Sequence, residues 1–394
     1  MSRPARVRAR TPFNWIKENL FNTWYNALLT LLALWLIAEA AAAVAGWALT
    51  RARWEVIPAN FQSFLVGTYP RNQVWRVWAA LDTLALLTGL SAGAFGKDGR
   101  RLVAYLTAPC VLFQAFDLSL HSRIFLLLTP ALMWGGWAAG RRAGRLGRRL
   151  MLLGWFLSYP CVLFLLWGIE GLPPLPRVET TSWGGLTLTL LLAATGIVAS
   201  FPLGVLLALG RRSSLPVISW GCAFLIEVVR GTPFVAVLFM AHLLLPLFLP
   251  QVRVDRVVRA MVGLSIFTAA YVAENVRGGL QGVPKGQYEA AMALGLSGTK
   301  AMLLVVLPQA LRAVLPSIVG QFISLFKDTS LVVVLGLLDL LGIARSVLAN
   351  PQWLGTHAEV YLFAAAVYWI FCYALSQASR RLETALGITK EASP

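Results

Sequence analysis

Only 17 of the 394 residues are acidic and three are histidine, so the chain has little from which to build an acid–base or metal centre. His121, His242 and His357 are scattered and share no ligand spacing. Four cysteines, Cys110, Cys161, Cys222 and Cys372, all lie in apolar runs and form no Cys-x-x-Cys pair. That pattern argues against a disulfide framework or a thiolate metal site. No Gly-x-x-x-x-Gly-Lys-Ser/Thr occurs, so nucleotide hydrolysis by this chain is not expected. Neither Asp-x-x-Asp nor His-Glu-x-x-His occurs in an apolar run, and no catalytic or metal residue is assigned.

What the chain does have is apolar surface. With 58% hydrophobic and 13% charged residues, 15 Trp and 20 Phe, it is not an ordinary soluble domain. Runs such as Leu28–Leu49, Leu102–Leu120, Leu150–Gly168, Leu186–Leu209 and Val257–Val276 approach the ~20 residues a helix needs to cross a bilayer. Lipid offers no partner to free backbone groups, so these runs are expected to be helices. An all-α polytopic membrane protein of about ten transmembrane helices follows. The spans are placed at 27–49, 75–95, 102–120, 124–140, 150–168, 184–209, 216–249, 257–276, 303–326 and 358–379. Segment 330–349 is also apolar, but Gly336, Asp339, Gly342 and Arg345 interrupt it, and it reads as a re-entrant or interfacial helix. The first apolar run starts near Ala27 with no small-residue cleavage site after it, so no cleaved signal is expected.

The net charge of +17 has a topological reading. Arg3, Arg6, Arg8, Arg10, Lys17, Lys97, Arg100, Arg101, Arg141, Arg142, Arg145, Arg148, Arg149, Arg211, Arg212, Arg277, Lys285, Lys300, Arg380, Arg381 and Lys390 all fall on one side of those ten spans. By the positive-inside rule that side is the cytoplasm, with both termini inside. No basic stretch interleaves with aromatics outside the membrane, which argues against nucleic acid as a partner.

Pro173, Pro174 and Pro176 forbid a continuous helix across 169–183. This segment is expected to be an extracytoplasmic linker between an N-terminal membrane region, 1–168, of unassigned role and a second region, 184–382, with a tail at 383–394.

The second region carries the motifs. Pro284 suits the first turn of a short helix over Lys285–Leu294, Gly295 a left-handed stop, and Ser297 the cap of a further helix running toward Val306. Ala290, Ala291 and Ala293 offer a thin surface, with Tyr288, Met292 and Leu294 as apolar anchors. Such a loop between spans is suited to a groove on a soluble protein. Glu289-Ala290-Ala291, three residues, Gly295, nine residues, Val305, one residue, then Leu307-Pro308 resembles the EAA loop of ABC importer permeases. The run Tyr271-Val-Ala-Glu274 to Glu289, with Arg230-Gly231-Thr232-Pro233 and Lys327-Asp328-Thr329-Ser330-Leu331, resembles the polar amino acid branch of that family over about residues 180–382.

The resemblance implies a type I importer permease core of five spans in the bacterial inner membrane. Glu289, Ala290, Ala291, Gly295, Leu307 and Pro308 would couple it to a cytoplasmic ATPase. It also implies two copies of that ATPase, holding ATP and magnesium while this chain binds no cofactor, and an extracytoplasmic amino-acid-binding protein. The long N-terminal half is similar to the general L-amino-acid and glutamate/glutamine/aspartate/asparagine permeases, which implies a second, homologous permease in a heterodimer.

Charges in spans are costly and are usually functional or paired. Glu227, Arg230, Thr232, Glu274, Lys327, Asp328, Thr329 and Ser330 are therefore candidates for the solute path or gate. Thr232-Pro233 is expected to break the long helix that follows Arg230 and to expose backbone dipoles of the kind solute sites use, and both charge signs and hydroxyls suit an amino acid. Glu227 and Arg230, three residues apart, could equally satisfy each other. Glu39, Asp82 and Asp117 are assigned no role. An ion-coupled secondary amino acid carrier is the alternative, though such a carrier has no use for the coupling loop.

Overall fold

The computed structural model describes residues 12–95, 99–116, 118–173, 175–248, 251 and 254–387. Arg3, Arg6, Arg8, Arg10, Lys97, Asp117, Pro174 and Lys390, named above, lie outside the described residues. The chain divides into two compact units, the first ending at Trp54 and the second beginning at Glu55. The first holds α1 (Pro12–Leu20) and α2 (Trp24–Thr50), the latter capped where Thr23 accepts from the Asn26 N–H. The second holds α3 (Val56–Val66), α4 (Trp75–Phe95), α5 (Gly99–Leu112), α6 (Leu120–Arg141), α7 (Arg145–Trp167), α8 (Gly185–Arg211), α9 (Pro216–Gly231) and α10 (Phe234–Phe248). It continues with α11 (Arg256–Gly282), α12 (Lys285–Ala293), α13 (Gly298–Ala301), α14 (Leu307–Asp328), α15 (Leu340–Leu348) and α16 (His357–Ala385).

Among the described residues, seven helical stretches are long and apolar enough to cross a membrane, or eight with the bent pair α9–α10. The expected ten spans also included α5 and α6. At 14 residues α5 falls short of a bilayer, ending well before the expected 120 at a single 3₁₀ turn, Phe113–Ala115. Helix α6 has 22 residues, but Pro130, Trp134, Trp137 and three glycines dilute its apolar character. The expected single span 216–249 is broken into α9 and α10, bent by 115° at Thr232-Pro233, where proline removes a backbone donor.

Helices α4, α6 and α7 form a bundle whose closest seam is made of glycine. A Cβ on Gly89 would lie 2.1 Å from Met133 O, and one on Gly140 2.2 Å from Leu90 O. Gly89-x-x-x-Gly93 and Gly136-x-x-x-Gly140 thus interlock two backbones, as small residues do where lipid gives no hydrophobic drive. The seam also carries polar ties: Trp78 Nε1 donates to Ser122 Oγ at 2.9 Å, and Thr129 donates to Asp82.

Helix α3 fastens this bundle to the remaining helices. Phe61 stacks on Phe116 at 4.2 Å and Phe64 meets Phe363 of α16 at 4.9 Å. Gly67 (φ +65°) lets the chain turn so close that a Cβ there would sit 2.4 Å from Gly184 Cα. The 169–183 segment lies inside the second unit. Thr180 donates to Asp255, which also caps α11 through the Val257 N–H.

In the core, α8 packs along α11, with Gly204 facing Val272 and Gly196 facing Leu325 of α14. The apolar segment after α14 does not cross. It forms a 3₁₀ run, Thr329–Leu335, turns at Gly336 (φ +73°) and continues as the nine-residue α15. Leu340, Ile343, Ala344, Val347 and Leu348 of α15 are buried with α3 and α16 residues in one cluster.

Candidate functional site

At one end of the core, α11 stops at Gly282, and α12 begins at Lys285 with Pro284 in the N-cap position, just ahead of the first turn expected for it. Helix α12 ends one residue earlier than expected, and Gly295 takes the left-handed conformation (φ +81°). The Gly295 N–H then reaches Met292 O and the Leu296 N–H reaches Ala291 O, which satisfies two carbonyls of the helix end. Ser297 occupies the N-cap position of α13, but its side chain makes no capping bond, contrary to expectation. The Ala301 N–H bonds its backbone carbonyl instead. Helix α13 passes through a π-helical turn, Met302–Val306, into α14, with Pro308 in its first turn.

The three alanines do not share one surface. Ala291 is buried against the core, whereas Ala290 and Ala293 face out with Glu289, Tyr288 and Met292. Leu294, at the tip, is 84% exposed. Val306 and Leu307 are buried beneath in the cluster of α8, α11 and α14, and Gln309 of α14 donates to Gln287 of α12. The loop is therefore held rigidly from below and presents small and apolar side chains outward.

The last turns of α11, before the loop, carry part of a network of five charges. Glu274 of α11 accepts from Arg277, one turn on, at both oxygens. Arg230 of α9 lies 3.4 Å and Arg211, at the end of α8, 3.6 Å from the same carboxylate. Arg211 also holds Glu227 at 3.0 Å, and the Arg230 guanidinium lies 5.6 Å from the Tyr271 ring centre. Glu227 and Arg230 thus do not satisfy each other; each pairs with another helix. Three arginines and two carboxylates leave one net positive charge, and Arg230 Nε is buried with no hydrogen-bond partner among the described residues. Thr232 Oγ1 donates to Val228 O at 2.7 Å, closing the end of α9 before the break.

The other candidates are elsewhere. Lys327, Asp328, Thr329 and Ser330 sit at the far end of α14, about 30 Å along the helix from Leu307 at ~1.5 Å per residue. Thr329 is fully buried and donates to Phe326 O, Asp328 is half-buried and Lys327 is exposed. The structure therefore separates the expected solute-path residues into two groups at opposite ends of the core.

Near that far end is a polar knot not assigned from the sequence. Asp339 is fully buried, caps α15 through the Leu341 and Gly342 N–H groups, and accepts from Tyr368 of α16 at 3.0 Å. Thr189 of α8 accepts from the Leu340 N–H beside it. Burial pushes the Asp339 carboxyl up to about 6, although its hydrogen bonds oppose that shift. Its sequence signal was a lone carboxylate interrupting an apolar run. Arg211 and Tyr271 of the network carried no such signal, since a basic residue ending a span is ordinary.

Comparison with known proteins gives consistent matches. The family model described as "Binding-protein-dependent transport system inner membrane component" matches residues 200–387. The chain is 39% identical to the inner membrane amino-acid ABC transporter permease protein YhdY of Escherichia coli (strain K12), over 97% of this chain and 95% of that protein. It is 36% identical to the glutamate/glutamine/aspartate/asparagine transport system permease protein BztC of Rhodobacter capsulatus, over 98% and 96%. A solved amino acid ABC transporter with histidines matches at 31% identity and a TM-score of 0.46, over 51% of this chain and 92% of that one.

Proposed function

As this chain belongs to the family of binding-protein-dependent transport-system inner-membrane components, an ABC importer permease family, we propose that it forms half of an amino acid translocation path and is driven by a separate ATPase through α12. The observation that carries this reading is the packed loop with its outward Leu294 tip and left-handed Gly295, which follows the same end of α11 that carries a charge network joining α8, α9 and α11. The amino acid substrate is supported by the near full-length similarity to amino acid permeases.

ATP and magnesium, held by the partner ATPase, supply the energy, and this chain binds no cofactor. Its own part is mechanical. Ala290, Ala293, Met292 and Leu294 seat in the ATPase groove, Glu289 makes a polar contact at its edge, and Gly295 permits the turn. Ala291, Leu307 and Pro308 transmit the movement to α14. The Glu274 network then serves as the gate at the loop end, where one carboxylate exchanges among three guanidinium groups. Lys327, Asp328, Thr329 and Ser330 line the path at the opposite end.

The assembly we propose contains a second, homologous permease in a heterodimer, two ATPase copies and an extracytoplasmic binding protein. The basic residues favour an orientation with the α12 end and both termini in the cytoplasm. Affinity purification of the tagged chain from native membranes tests the assembly. Recovery of an ATPase and a second long permease is expected; recovery of this chain alone, with uptake insensitive to ATP, contradicts the reading in favour of a secondary carrier.

A further inference from the structure

From Leu118 to Ile169 the sequence contains no acidic residue, yet Arg141, Arg142, Arg145, Arg148 and Arg149 crowd the turn between α6 and α7. All five side chains are exposed, and none pairs with a carboxylate among the described residues. The turn is closed by hydrogen bonds: the Arg142 N–H bonds Ala139 O, the Ala143 N–H bonds Gly140 O, and the Arg141 guanidinium lies 5.0 Å from the Trp137 ring centre. Because α7 runs from here to the 169–183 linker, whose Thr180 bonds Asp255 at the start of α11, the cluster lies toward the other end of α11, where α12 follows.

Orientation by positive charge requires basic residues but says nothing of where they sit on a helix. Arg141 and Arg142 are at the C-terminal, electronegative end of α6, where a cation is locally favoured. Arg145, Arg148 and Arg149 are not so placed. They occupy one face of the first turns of α7, at its electropositive end, with Gly144 giving no side-chain cap and no acidic residue in the first turn. Left alone, these charges repel one another and the helix dipole. On the adjacent face the large apolar residues Leu146, Leu150, Leu153 and Phe156 are all exposed, so the arginines stand at the edge of a lipid-facing surface. With α7 spanning a bilayer, charges at its first turns come to the level of the lipid headgroups, and guanidinium groups match phosphate oxygens in a two-pronged fashion that an ammonium group does not.

We propose that the Arg141–Arg149 turn is a docking surface for anionic phospholipid headgroups, with Arg145, Arg148 and Arg149 holding phosphate. The occupant is a lipid rather than a protein because the apolar face of α7 continues directly from the charges into the span. This inference does not depend on the solute carried.

The test is native mass spectrometry of the full-length chain with its co-purifying partners, delipidated and titrated with phosphatidylglycerol or phosphatidylcholine. Preferential retention of phosphatidylglycerol is expected, not displaced by inorganic phosphate, with affinity falling roughly fivefold for each of Arg145→Gln, Arg148→Gln and Arg149→Gln. Equal retention of the two lipids, or unchanged phosphatidylglycerol binding in a correctly inserted triple variant, overturns the proposal. If the triple variant loses its ATPase partner while lipid binding persists, the surface binds protein and the proposal is again wrong. Should the triple variant fail to insert, photo-crosslinking of the native chain with a headgroup-labelled phosphatidylglycerol replaces it. Label confined to peptides covering 141–153 supports the proposal, and label absent from them refutes it.

Discussion

Arg230 of α9 and Glu274 of α11 lie 3.4 Å apart across a helix interface, and that carboxylate is shared with Arg211 and Arg277. One anion therefore holds three cations from three helices together at the α12 end of the core. Side chains in this group are between a quarter and a third exposed, apart from the more exposed Glu227, so the network is neither fully solvated nor dry.

Removing the shared anion leaves three like charges in contact. Glu274→Gln is expected to destabilise the chain by about 2 kcal/mol, between the ~1 kcal/mol of an exposed pair and the ~3–5 kcal/mol of a buried one. Adding Arg230→Gln to it should restore part of the loss, because the repulsion falls. Thermal unfolding of the two single variants and the double variant checks this, and strictly additive effects would count against a shared network.

Gly295 is free of neighbours within 4 Å of a built Cβ, so its constraint is its left-handed backbone alone. A non-glycine residue there costs about 1–2 kcal/mol, too little to unfold the chain. Gly295→Asp is therefore expected to insert normally yet uncouple ATP hydrolysis from uptake. Normal uptake by a well-expressed Gly295→Asp protein contradicts the coupling role.

Adjacent glycines of α6 should respond with opposite signs. A Cβ on Gly136 meets Leu86 O at 2.6 Å, whereas Gly135 faces open space. Gly136→Ala is expected to destabilise by about 1–3 kcal/mol through overpacking. Gly135→Ala should be neutral or stabilising by up to about 1 kcal/mol, from helix propensity. Paired melting curves decide, and equal effects would mean that the α4–α6 seam is not as tight as described.

Motifs read along the chain found the helical class, the loop turning at Gly295 and the break at Thr232-Pro233, because glycine and proline act locally. Partnership was less legible. Glu227 and Arg230 have the right spacing to pair, yet each finds a partner on another helix, since tertiary geometry and not spacing sets distance. Likewise Ala290, Ala291 and Ala293 look alike in sequence, and only the packing of α12 against the π-helical turn distinguishes the buried Ala291 from the other two. Nothing local reveals that Lys327 and Glu274 belong to opposite ends of the core, or that Gly89 and Gly93 are matched by Gly136 and Gly140.

Asp339 gives the chain a pH dependence of definite sign. Its folded carboxyl is raised to about 6, so the native state holds the proton more tightly than the unfolded chain. The stability this provides is fully present below about pH 4, the ordinary aspartate range, and is lost as pH rises through 6, by up to about 3 kcal/mol. Unfolding midpoints should rise on acidification from pH 7 to 5 in the native chain and stay level in Asp339→Asn. A native profile no steeper than that of the variant would contradict the assignment.

The central claim is that α12 couples this chain to an ATPase that drives amino acid movement. Proteoliposomes containing the purified complex, with ATP on the α12 side and an amino acid with its binding protein on the other, test it most directly. Uptake that requires ATP and is lost in Gly295→Asp is the predicted result. Uptake that proceeds without ATP and follows an ion gradient would contradict it.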